Sequence, residues 1–121
     1  MSLLEVHQGW AWFVIVANGV AGLWCLAALR MPSLAGRPMW WFVGVAQIGL
    51  VVEVIFGVFL VSADDREAVE FHMFYGFIAL IAIGIIYSYR HQMSHRIHLL
   101  YGLGSLFVMG LAIRSMFIGT A

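Results

Sequence analysis

Lysine is absent from this sequence of 121 residues, cysteine occurs once, proline twice, and charged side chains make up only 10%. Each shortage excludes something. Without Lys, and with six Arg balanced by six acids, the net charge is zero, so there is no basic surface to neutralise a phosphate backbone, and nucleic-acid binding is not expected. With Cys25 alone an internal disulfide cannot form, and a thiol set in an apolar run is expected to serve packing. No G-x-S-x-G, H-E-x-x-H, P-loop or C-x-x-C occurs, so neither catalysis nor a resident cofactor is expected.

What fills the chain instead is apolar: 64% of the residues are hydrophobic, against roughly 45–50% in soluble domains. The charges are segregated into short segments, the pattern expected when the solvent is lipid. Four apolar runs, at about 8–29, 39–62, 72–89 and 97–118, each approach the roughly 20 residues that cross ~30 Å of hydrocarbon at 1.5 Å per residue. They predict an all-α, integral membrane domain over residues 1–121. Its four transmembrane helices form an antiparallel up-down bundle, because the connections are too short for anything else. The first residues lack a basic region and a small-residue cleavage site, so the first run is expected to stay as a membrane span.

Orientation follows from arginine. The first and third connections hold Arg30, Arg37, Arg90 and Arg96, whereas the second holds Arg66 among Asp64, Asp65, Glu67 and Glu70. Positively charged loops stay inside, which predicts a bacterial cytoplasmic (inner) membrane protein with both termini on the outer side. Trp10, Trp12, Trp40, Trp41, Tyr87 and Tyr89 fall at the ends of the runs, where aromatic rings anchor to the interface. Helices in lipid associate through close packing at small residues; Ala17 and Ala21 in the first run, and Gly49 and Gly57 in the second, are the candidates.

The polar residues inside the runs are the ones that need a reason. Glu53 lies nine residues before the end of the second run, ~13 Å deep, where an unpaired charge costs at least about 2.5–3.5 kcal/mol. An ion pair with Arg114 in the fourth run is the simplest relief; a protonatable site for proton-coupled transport, or a contact with another subunit, are the alternatives. His7 and His72 each open an outward-facing run at one depth. Two imidazoles from different helices are the minimum for a bis-His haem, while placement at the interface is the simpler expectation. His91, His95 and His98 have the H-x3-H-x2-H spacing that on one helical face could present three nitrogens to a metal, or else form a polar inner-leaflet patch. Asn18, Gln47 and Ser105 need hydrogen-bond partners and are expected to join helices.

By length and helix number the chain resembles a small multidrug-resistance transporter, but the first helix of such transporters carries the essential Glu, and here the first run has no acid below Glu5. His7-Gln8-Gly9-Trp10-Ala11-Trp12-Phe13, Phe71-His72-Met73-Phe74-Tyr75-Gly76-Phe77 and Tyr101-Gly102-Leu103-Gly104 resemble segments of short actinobacterial membrane proteins of the accessory-subunit type. That resemblance implies an extra subunit of a larger membrane complex, such as an Mce-type lipid importer or a respiratory supercomplex. The expectation is therefore a non-catalytic partner of such a complex in the lipid bilayer, with haem-mediated electron transfer through His7 and His72, or proton-coupled transport through Glu53, as rivals.

Overall fold

The computed structural model describes residues 2–62 and 70–120, and of residues 70, 71, 119 and 120 the backbone only. Four helices account for almost all of it: α1 (Leu3–Arg30), α2 (Arg37–Ser62), α3 (Glu70–Ser88) and α4 (Ile97–Thr120), with short 3-10 turns at Pro32–Leu34 and Ser94–Arg96. The acidic connection Asp64-Asp65-Arg66-Glu67 lies outside the described residues. Three segments, Leu3–Arg30, Arg37–Ser62 and Ser94–Ile118, are long and apolar enough to cross a membrane, and His72–Ser88 is a shorter apolar helix.

Local chemistry explains where the helices begin and end. α1 starts five residues before the apolar run does, because Ser2 caps it: the Ser2 hydroxyl accepts a bond from the Glu5 amide at 3.2 Å, and Glu5 complements the positive end of the helix dipole. At the other end the Trp24 indole donates to the Leu34 carbonyl at 3.0 Å, tying the Pro32 turn back onto α1. α2 opens with Pro38 in its first turn, where a missing amide hydrogen costs nothing.

Contacts pair the ends of the helices in a consistent order. His7 lies against Glu53 and Gly57, Trp10 against Gly49, Asn18 against Ala46, and Trp24 against Phe42. Gly19 faces Met109 and Leu26 faces Gly102 across α1 and α4, while His72 meets Ser115 and Ile86 meets Gly104 across α3 and α4. α1 packs most extensively on α4 and on α2, and α3 on α4; among the described residues α2–α3 is the sparsest of the four seams between neighbouring helices.

The α1–α4 seam is closed by glycine. A Cβ on Gly22 would stand 2.7 Å from Leu106 Cγ and 2.9 Å from the Gly102 carbonyl oxygen, and one on Gly102 would stand 2.7 Å from Leu26 Cδ2. The backbones therefore meet at a distance no larger residue permits. Ala17, Ala21 and Cys25 are buried beside them, as the small-residue stripe predicts, and join Val43, Ala46 and Leu50 of α2 in one core. The outside is coated by Trp12, Leu23, Ile48, Phe107 and Phe117, a surface far more apolar than water tolerates. The aromatic anchors divide by face: Trp12, Trp41, Tyr87 and Tyr89 point outward, whereas Trp10 and Trp40 turn in, to Gly49 and to Tyr101.

Candidate functional site

Four polar residues, His7, Glu53, His72 and Ser115, gather at one end of the bundle. One face of α1 carries His7 and, one turn on, Trp10; one face of α2 carries Gly49, Glu53 and Gly57 at four-residue spacing. The Trp10 indole donates to the Gly49 carbonyl at 2.8 Å and so locks the two faces in register. That brings His7 Nδ1 to 3.0 Å from Glu53 Oε1, with both side chains nearly buried. The contact is of ion-pair length but poorly aligned for a hydrogen bond. Gly57 makes room for it, since a Cβ there would come to 3.4 Å from His7 Cε1.

On the opposite wall, His72 Nδ1 lies 2.7 Å from the Ser115 carbonyl oxygen, and the Ser115 hydroxyl donates to the His72 carbonyl at 3.0 Å. A carbonyl oxygen only accepts, so His72 Nδ1 carries the hydrogen and, in the neutral ring, Nε2 keeps the lone pair. The His7 and His72 rings stand 6.0 Å apart, centroid to centroid, at an interplanar angle of 89°. Between the walls is a cavity of about 840 Å³, lined by His7 and Ala11 of α1, Leu50, Glu53 and Gly57 of α2, His72, Gly76 and Phe77 of α3, and Ala112, Ser115 and Met116 of α4. It is within the roughly 300–1,000 Å³ range of small-molecule sites.

The pairing of Glu53 with Arg114 is corrected by this geometry: among the described residues the ion-pair partner of Glu53 is His7. Successive residues of a helix are turned by about 100°, so Ser115 faces the cavity while Arg114 is exposed, its guanidinium 6.0 Å from the Tyr75 ring centroid. The His91, His95 and His98 spacing is corrected as well. The helix breaks after Ser88 and resumes at Ile97, so the three never share a helical face. His91 and His95 are exposed, and His98 packs at 5.6 Å against the Trp40 ring. Among the described residues no group of three or more His, Cys, Asp or Glu could hold a metal ion.

Asn18 joins helices as expected, its Nδ2 donating to Val14 at 2.8 Å and to Ala46 across the α1–α2 seam at 3.3 Å. Gln47 is half-buried, and Ser105 is fully buried with no hydrogen-bond partner for its hydroxyl among the described residues. Ser115 and Gly76 escaped the reading of the sequence. For Gly76 a signal was present: H-x-x-Y-G occurs twice, at His72-Met73-Phe74-Tyr75-Gly76 and His98-Leu99-Leu100-Tyr101-Gly102, near the start of α3 and of α4; for Ser115 there was none. No family model, curated protein or solved structure matches the chain.

Proposed function

We propose that the chain is a bacterial inner-membrane protein whose four helices all cross the bilayer, antiparallel, with both termini outside, and whose outer half is a binding chamber for a small lipophilic ligand. The observation that carries this reading is the cavity of about 840 Å³ with polar groups from all four helices on an otherwise apolar wall. An apolar cleft with a few convergent polar groups is the general form of a ligand site, and ionisable side chains at membrane depth are costly and commonly mark functional sites. The pairing of helix ends described above supports the antiparallel order, and the segregation of Arg supports the orientation.

Two measurements test it. In cells, Ser2→Cys reacts with a membrane-impermeant maleimide and Ser94→Cys does not; the reverse pattern overturns the orientation. In detergent, the purified chain raises the fluorescence of a neutral, environment-sensitive lipophilic dye, and Gly76→Trp, which fills the cavity, removes that signal. Gly84→Trp leaves it intact, because Gly84 is exposed and a Cβ there meets nothing within 4 Å. Equal binding by the wild type and Gly76→Trp overturns the chamber.

Accessory membership of a larger membrane complex, whether a lipid importer or a respiratory assembly, is a second reading. It is favoured by Gly84 and Gly110, exposed with open space beside them, where the backbone of a partner helix can approach closely. Copurification of one defined complex from native membranes in mild detergent supports it; a monodisperse chain that crosslinks to nothing larger overturns it.

A further inference from the structure

The geometry points to haem as the ligand of the chamber, with its iron between Nε2 of His7 and Nε2 of His72. The inference rests on the chamber reading and narrows it to one chemical class. Three features of the site converge on it.

The first is the state of the two imidazoles. A metal-binding His almost always gives its other ring N–H to a carboxylate or a backbone carbonyl, which fixes the tautomer and the ring. His7 Nδ1 faces the Glu53 carboxylate at 3.0 Å and His72 Nδ1 donates to the Ser115 carbonyl at 2.7 Å. His72 therefore has its Nδ1 occupied and His7 has its Nδ1 turned to the Glu53 carboxylate, so Nε2 is the nitrogen of each ring left to bind. The second is separation. Two imidazoles bound on opposite sides of one ion, at ~2.0 Å per bond, place their ring centroids roughly 6 Å apart; the observed value is 6.0 Å, with the rings perpendicular, an arrangement that two axial ligands can adopt.

The third is what surrounds the rings. Two nitrogens are too few to hold a bare ion, and among the described residues no third protein ligand joins them. A porphyrin supplies the other four nitrogens itself. It also needs a wide apolar space, and the cavity is lined mainly by apolar atoms, with Gly57 clearing space beside His7 and Gly76 adding no side chain to the wall. Glu53 gains a reason on this reading, because a ferric haem with two neutral axial ligands carries a net positive core that a buried carboxylate offsets.

The full chain, expressed with excess iron and 5-aminolaevulinate and purified in mild detergent, is expected to carry one haem per chain. Its spectrum is that of a six-coordinate low-spin haem with a sharp α band on reduction. His7→Ala and His72→Ala each convert the bound haem to a high-spin form that added imidazole returns to low spin, which a merely structural role of these rings would not do. Glu53→Gln keeps the low-spin spectrum with haem affinity weakened roughly 10-fold. Haem bound identically by the wild type and both His variants overturns the axial assignment. A helical, monodisperse chain that binds the lipophilic dye but takes up no added haemin overturns the haem and leaves the chamber standing. One that binds neither overturns both.

Discussion

The α1–α4 seam and the α2–α3 side of the same bundle are built on opposite terms. Along α1–α4 the backbones approach until Gly22 and Gly102 leave no space for a methyl group. Across α2–α3 the described contacts are sparse, and the cavity takes their place. The lesson is physical: lipid gives helices no hydrophobic reason to associate, so a bundle holds together where backbones can touch. Where it must house His7, Glu53 and His72, it leaves room, sets His7 against Glu53 and bonds His72 to Ser115. One seam supplies the cohesion that the other side lacks.

The sharpest way to break this comparison is to put the same side chain on each side. Gly22→Leu is expected to destabilise the fold by about 3 kcal/mol or more, because the clash is with Leu106 Cγ and the Gly102 carbonyl, and backbone cannot yield as a side chain can. Gly76→Leu, whose Cβ meets nothing within 4 Å, should cost less than about 1 kcal/mol. Unfolding in mixed detergent, followed by loss of helical circular dichroism, gives both values. Equal losses would mean that the two sides are packed alike.

Next in size is the polar cluster itself. Removing one member of a buried pair leaves the other without compensation, so His7→Ala and Glu53→Leu should each cost about 2 kcal/mol while the double variant costs far less than their sum. A double-mutant cycle is expected to give a coupling of roughly 1–2 kcal/mol between His7 and Glu53. The same cycle with Arg114→Gln and Glu53 should give a coupling within about 0.5 kcal/mol of zero. A strong Glu53–Arg114 coupling would return the carboxylate to the partner that chain order suggests.

How much of this was legible beforehand divides along the same line. The four helices, the Ala17 and Ala21 stripe and the Asn18 crosslink follow from hydropathy and residue size, which are properties of single helices. The cluster depends on rotation of one helix against another. The spacing of Glu53 and Arg114 from their helix ends is compatible with an ion pair, but Arg114 turns outward and brings Ser115 in, about 100° round the helix. His7 and His72 could be matched in depth from the sequence, yet their meeting at 6.0 Å required α1 and α3 to face the same space. The His91, His95 and His98 spacing misled for a local reason: periodicity holds only while the helix continues, and here it stops between Ser88 and Ile97.

Smaller effects sharpen the contrast at single atoms. Trp10→Phe removes the indole donor that holds Gly49 and should cost about 1 kcal/mol, and it should also loosen the register that brings His7 to Glu53. Ser105→Ala is expected to have the opposite sign. Its hydroxyl is fully buried on α4 without a hydrogen-bond partner among the described residues, and a polar group buried in this way opposes folding. Replacing it with a methyl group of similar size should raise stability by about 0.5 kcal/mol, read as a later unfolding midpoint in the same detergent titration. A loss of 1 kcal/mol or more would show that this hydroxyl is satisfied in the membrane after all, and that the tightly packed part of the bundle hides a polar contact of its own.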